Sequence, residues 1–147
     1  MNPDNDPFVS MRLRAQHHDL QRMVDRLRVI AAAPEGILLP HRLHYLLESE
    51  VGALSGALRA HLTIEEKDGY LGMLSEEAPE LEDEIQRRRN EHAVLRERME
   101  ELAQMGYGDG NIDMYRLAIL ELLDLITDHE AEESLLLDRF TDTRDPA

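Results

Sequence analysis

The 147 residues fit one domain with enough chain to bury a core without covalent staples, and the absence of cysteine removes disulfides, thiolate metal sites and thiol nucleophiles from consideration. Sixteen Lys and Arg stand against 31 Asp and Glu, a formal charge of −15, and a field of that sign repels phosphate backbones and anionic lipid, which excludes nucleic acid and membrane surfaces as expected partners. No stretch approaches the ~18 uncharged apolar residues that span a bilayer, and Met1 to Pro7 carry no apolar leader, so a cytoplasmic setting is expected.

In chain order, Asp6-Pro7 reads as an N-cap followed by proline at the first helical position, and helical spacing of apolar residues continues to about Ala33. Pro34, Gly36 and Pro40 make the first corner. A second helix runs from Pro40 to about Lys67, where Asp68-Gly69 ends it and the apolar Tyr70 to Leu74 segment bridges onward. Pro79 opens the third helix, which reaches about Met105 and stops at Gly106, Gly108 and Gly110. The fourth runs from Asn111 or Asp113 to about Thr141. No strand-period alternation is bounded by turn residues. Short connections between helices of ~25 to 30 residues force antiparallel neighbours. The predicted architecture is all-α: an up-down-up-down antiparallel four-helix bundle over residues 7–141, with polar tails at 1–6 and 142–147.

An internal similarity sharpens this reading. Aligned on their histidines, the first and third helices place His17, Leu20, Val24 and Leu27 against His92, Leu95, Met99 and Leu102. The second and fourth place Leu54, Leu58, His61 and Glu65 against Leu122, Ile126, His129 and Glu133. Each set advances by threes and fours, so each helix carries one histidine on its apolar stripe, and two helices add a glutamate one turn later. The ligand depths match too. His17 and His61 lie ~20 and ~25 residues either side of the first corner, and His92 and His129 lie ~17 and ~20 either side of the last, which agrees within about two turns at ~1.5 Å per residue.

Two carboxylates buried among leucines would protonate unless positive charge compensated them, and neutral imidazoles supply none. A pair of divalent cations does. Imidazole with carboxylate suits iron, manganese or zinc rather than calcium or magnesium. A single stripe histidine is more often a half-buried core residue, and it is the repetition across four helices that points to metal. Rival patterns fail: no histidine has a glutamate three residues before it, as ferritin-like di-iron sites require, and His129-Glu130-Ala131-Glu132-Glu133 is not the zincin His-Glu-x-x-His.

The segments around His17, His61-Leu62-Thr63-Ile64-Glu65-Glu66, Glu91-His92-Ala93-Val94-Leu95 and His129 through Glu133 resemble the hemerythrins and their bacterial relatives with the His-His-Glu cation-binding domain, over nearly the whole chain. The resemblance implies a cofactor of two iron ions, Fe2+/Fe3+, joined by an oxo or hydroxo bridge. In it His17, His61, His92 and His129 are terminal ligands, and Glu65 and Glu133 bridge. Two features depart from the family. Members that carry oxygen reversibly usually have a second histidine one turn before the third-helix ligand, where this chain has Arg88, which would leave one iron with an additional open position. Gly69 to Leu74 replaces the Leu-Phe-Pro turn common in relatives.

Other residues carry competing readings. His18 is the alternative to His17, although Asp19 and Leu20 follow it out of register. His41 and His44 read as solvated. Glu66, Glu130 and Glu132 read as mainly solvent-facing, with Glu132 a candidate acceptor for an imidazole N–H. Tyr70, Tyr107 and Tyr115 read as packing. Arg87 to Arg89 read as a solvated face, with Arg88 able to point inward. Leu58 and Ile126, one turn before ligand histidines, would keep the pocket dry. The expected function is binding of O2, peroxide or nitric oxide at an open iron position. No residue presents itself as a positioned general acid or base, so a binding protein is read ahead of an enzyme. The alternatives are a di-iron enzyme of peroxide or nitric-oxide detoxification and an iron sensing or storage protein; oligomeric state is left open.

Overall fold

Apolar residues stepping by three and four give each long segment one stripe to bury, and helices follow. The computed structural model describes residues 7–34, 36–67, 70–106 and 112–144, with side chains described from residue 14 to 140 apart from Lys67, Tyr70 and Gly106 within those ranges. Its elements are α1 (Pro7–Ala31), α2 (Pro40–Lys67), α3 (Tyr70–Glu77), a 3-10 turn (Pro79–Leu81), α4 (Glu82–Gly106) and α5 (Ile112–Arg144). The chain is an all-α four-helix bundle, and among the described residues there is no strand. No helix among them is long and apolar enough to cross a membrane.

Three expectations are corrected. The bridging segment is itself a helix, α3, because Leu71 and Leu74 lie on one face and are buried against Ile85 and Leu136. Pro79 opens a 3-10 turn rather than the long helix: the Leu81 N–H donates to the Ala78 carbonyl at 2.9 Å, and α4 begins at Glu82. Glu82, Asp83 and Glu84 then fill the first turn of α4, where negative charge complements the helix dipole. Residues 142–144, assigned to a tail, continue α5, since the sequence offers no glycine or proline stop before Pro146. The Asp6 cap, the 1–6 tail, the Asp68-Gly69 stop and the Tyr107 to Gly110 corner lie outside the described residues.

The first corner is built as its residues dictate. Gly36 adopts φ 89°, the left-handed region that a side chain would strain, and the Ile37 N–H donates to the Pro34 carbonyl at 3.4 Å. Arg116 of α5 reaches across to this corner, donating from Nε to the Ala31 carbonyl (2.8 Å) and from Nη2 to the Ala33 carbonyl (2.6 Å). Those carbonyls lie at and just beyond the C-terminal end of α1, where a cation is a suitable cap.

Neighbouring helices run in opposite directions. Gln16 meets His61 and Arg26 meets Glu50 between α1 and α2; Arg88 meets Glu132 and Glu84 meets Arg139 between α4 and α5. α5 also packs on α1, and α4 on α2, closing the ring. Among the described residues the interior holds two apolar clusters. The larger joins the stripes of the four long helices, including Leu20, Val24, Leu54, Leu58, Leu95, Met99, Leu122 and Ile126. The smaller gathers Leu71, Leu74, Ile85 and Leu136. Between them in chain position on α4 and α5 lie His92, His129 and Glu133, which are buried together with His61 and Glu65 of α2, and α1 adds the partly exposed His17.

Candidate metal centre

Helical spacing sets the polar layer. His61 and Glu65 on α2, and His129 and Glu133 on α5, are one turn apart and project inward together, and His92 joins them from α4. These five side chains are 0–1% exposed. His17 completes the layer from α1, with its side chain 20% exposed. His18 faces solvent, so of the two adjacent histidines of α1 it is His17 that reaches the layer.

Each glutamate is shared between two histidines. Glu65 Oε1 lies 2.5 Å from His61 Nε2, and its Oε2 lies 2.9 Å from His92 Nε2. Glu133 Oε1 lies 3.0 Å from His17 Nε2, and its Oε2 lies 3.1 Å from His129 Nε2. The donor atoms fall into two groups, each within 4.8 Å: His17, His61, Glu130 and Glu133, then Glu65, His92, His129 and Glu133. All six residues singled out in the sequence are thus brought together.

The outer edges of the rings are pinned. His61 Nδ1 lies 3.0 Å from Gln16 Oε1, His92 Nδ1 2.9 Å from Glu66 Oε1, and His129 Nδ1 2.7 Å from Glu91 Oε1. An Nδ1–H donated outward leaves Nε2 as a lone pair aimed at the centre. Glu66 is held in turn by a two-pronged contact from Arg96 (2.7 and 2.9 Å).

Despite this crowding, and apart from the His17 Nε2–Glu133 Oε1 hydrogen bond, most of the inward atoms do not satisfy one another. His61, His92 and His129 Nε2, both oxygens of Glu65 and of Glu130, and Glu133 Oε2 are buried without a hydrogen bond of acceptable geometry. Buried polar atoms are rarely left so, and converging lone pairs of nitrogen and carboxylate oxygen are the donor set of a cation site.

Protons take the place of that charge in the metal-free chain. Burial pulls the imidazoles down, but facing carboxylates outweigh it: Glu130 and Glu133 lift His17 to about 9, Glu130 and Glu65 lift His61 to about 10, and chiefly Glu133 lifts His129 to about 9. Burial raises Glu65 above the usual carboxylate range. Glu133 is equally enclosed, yet His129 and His17 hold it well below that range.

The hemerythrin family, described as the hemerythrin HHE cation binding domain, matches residues 10–140. The chain belongs to this family. No curated protein and no solved structure matches it. Hemerythrin HHE domains bind cations, and the two donor groups of this domain are where a cation fits.

The geometry also revises several readings made from sequence. In this hemerythrin domain Glu130 is not a solvent-facing residue: its Oε2 lies 3.0 Å from His17 Nε2 and its Oε1 3.4 Å from His61 Nε2. Its inward turn is legible only as the i,i+3 relation to Glu133, which puts both on the side of α5 that meets α1. Arg88 is buried rather than solvated. Its Nε lies 3.1 Å from Glu91 Oε1 and its Nη1 donates to Glu132 Oε2 at 3.2 Å, so it braces the acceptor of His129 from α4 to α5. Glu132 therefore serves Arg88 and not an imidazole; Gln16, Glu66 and Glu91 are the imidazole partners that sequence reading missed. His44 is half-buried, stacked on Tyr115 at 5.6 Å between ring centroids and 2.6 Å from Glu48, whereas His41 is exposed. Tyr115 is buried in the larger apolar cluster, and the side chains of Tyr70 and Tyr107 lie outside the described residues. Leu58 and Ile126 are fully enclosed.

Proposed function

We propose that this hemerythrin-domain protein is a cytoplasmic non-haem di-iron protein that takes up oxygen or a related small ligand, peroxide or nitric oxide, inside the bundle. One observation carries the reading: Glu65 and Glu133 each direct one oxygen toward each of two histidine pairs, and both Glu65 oxygens, Glu133 Oε2 and the Nε2 atoms of His61, His92 and His129 are buried without hydrogen-bond partners. His17 and His61 would hold one ion, His92 and His129 the other, and the two glutamates would bridge. A bound iron pair supplies electrons and a coordination position for the small ligand.

The protein's own residues set the conditions. Gln16, Glu66 and Glu91 fix the histidine tautomer, and Arg96 and Arg88 hold two of those acceptors. Leu58 and Ile126 adjoin the layer and exclude water from it.

Addition of two equivalents of Fe(II) under argon should leave about two irons per chain after desalting, and admission of air should then develop a visible charge-transfer absorption. A protein that retains no iron, or that stays colourless in air when loaded, contradicts the proposal.

A further inference from the structure

We propose that Glu130 is a further protein ligand serving the His17/His61 position alone, so that the two cation positions are unequal and the one at His92/His129 is left to accept an external ligand. This rests on the paired cation centre described above. The Glu130 oxygens lie 3.0 and 3.4 Å from the Nε2 atoms of His17 and His61, and both oxygens are buried without hydrogen-bond partners. The structure groups Glu130 with His17, His61 and Glu133 and not with His92 and His129.

The internal repeat shows why the other position has no counterpart. Aligning His61 on His129 sets Leu62 against Glu130, and Leu62 is fully buried in the apolar cluster. One half of the pseudo-symmetric site therefore carries a carboxylate where the other carries a hydrocarbon. The His17/His61 position then has five protein side chains about it, counting one oxygen from each shared glutamate, and the His92/His129 position has four. Two divalent cations against three carboxylates leave about one net positive charge, which a largely apolar interior tolerates.

The position at the edge of the bundle, beside the partly exposed His17, is thus the filled one. The position with fewer protein side chains lies on the enclosed side, where His92 and His129 are 1% exposed.

The test is a titration of the full chain with Co(II) under argon, followed in the visible region, with azide added after each equivalent. Two distinguishable steps are expected. The first should be insensitive to azide and the second should shift with it. In Glu130→Ala the first step should weaken by at least about tenfold, since even outer contacts to metal ligands are worth that much, and its bands should become azide-sensitive. Glu130→Gln, which keeps the volume, serves if alanine impairs folding. Two equivalent steps in the wild type, azide acting on the first step, or a Glu130 variant whose first step is unchanged would each overturn the inference while leaving the paired centre standing. Failure of the wild type to take up cobalt or iron would overturn both.

Discussion

His61 and His129 each turn one ring nitrogen outward and one inward, and the protons that His17, His61 and His129 hold within the layer make the metal-free and metal-bound chains answer pH in opposite ways. His17, His61 and His129 titrate at about 9, 10 and 9 in the folded chain against an ordinary value of 6.5. A raised value means that the folded chain holds the proton more tightly than the unfolded one. That contribution is complete below about pH 6.5 and disappears as pH rises through 9 to 10. Metal-free protein should therefore melt at progressively lower temperature from pH 7 to 10. Cation binding must expel the same protons, so cation affinity should climb over that range. Melting curves with and without Zn(II) at each pH check this, and parallel slopes would contradict it. The six residues read from the sequence were legible because helical periodicity alone placed them on apolar stripes. Glu130 was not, because it sits one residue beyond His129, about 100° around the helix, and faces inward only where α1 crowds α5. Arg88 escaped for the related reason that a buried arginine is read as exposed until its carboxylate partners are known.

At the scale of elements, the four long helices were readable from spacing and from Pro and Gly punctuation, to within a few residues at their ends. α3 was not. Eight residues with Gly72 among them have little helical tendency of their own, and α3 forms because Leu71 and Leu74 are buried against α4 and α5. The contact of Arg116 with the end of α1 is likewise tertiary, joining residues 83 and 85 positions apart. Arg116→Ala removes two hydrogen bonds from a charged donor to helix-end carbonyls. It should cost about 1.5 to 3 kcal/mol in urea unfolding, with metal uptake unchanged. A loss of metal uptake in that variant would mean that the corner controls the distant layer.

For the molecule as a whole, the formal charge of −15 draws cations toward the surface and raises their local concentration. Binding inside then stabilises the fold by linkage, about 4 kcal/mol when free metal exceeds its dissociation constant a thousandfold. Chelation should accordingly lower the melting temperature by on the order of 10 °C, measured by calorimetry on the same sample before and after metal removal. An unchanged melting temperature would show that the bundle gains nothing from its cations.

The layer also interrupts the hydrocarbon packing between the larger cluster and the smaller one around Leu74 and Leu136. Side-chain coupling from one end of the molecule to the other then passes in part through charged contacts, which ions strengthen and their removal weakens, beside the continuous backbones of α4 and α5. Losing metal would do more than soften the protein uniformly. It would detach the behaviour of one end from that of the other, giving amides of α3 and late α5 a private route to solvent exchange while those of the larger cluster still wait for global unfolding.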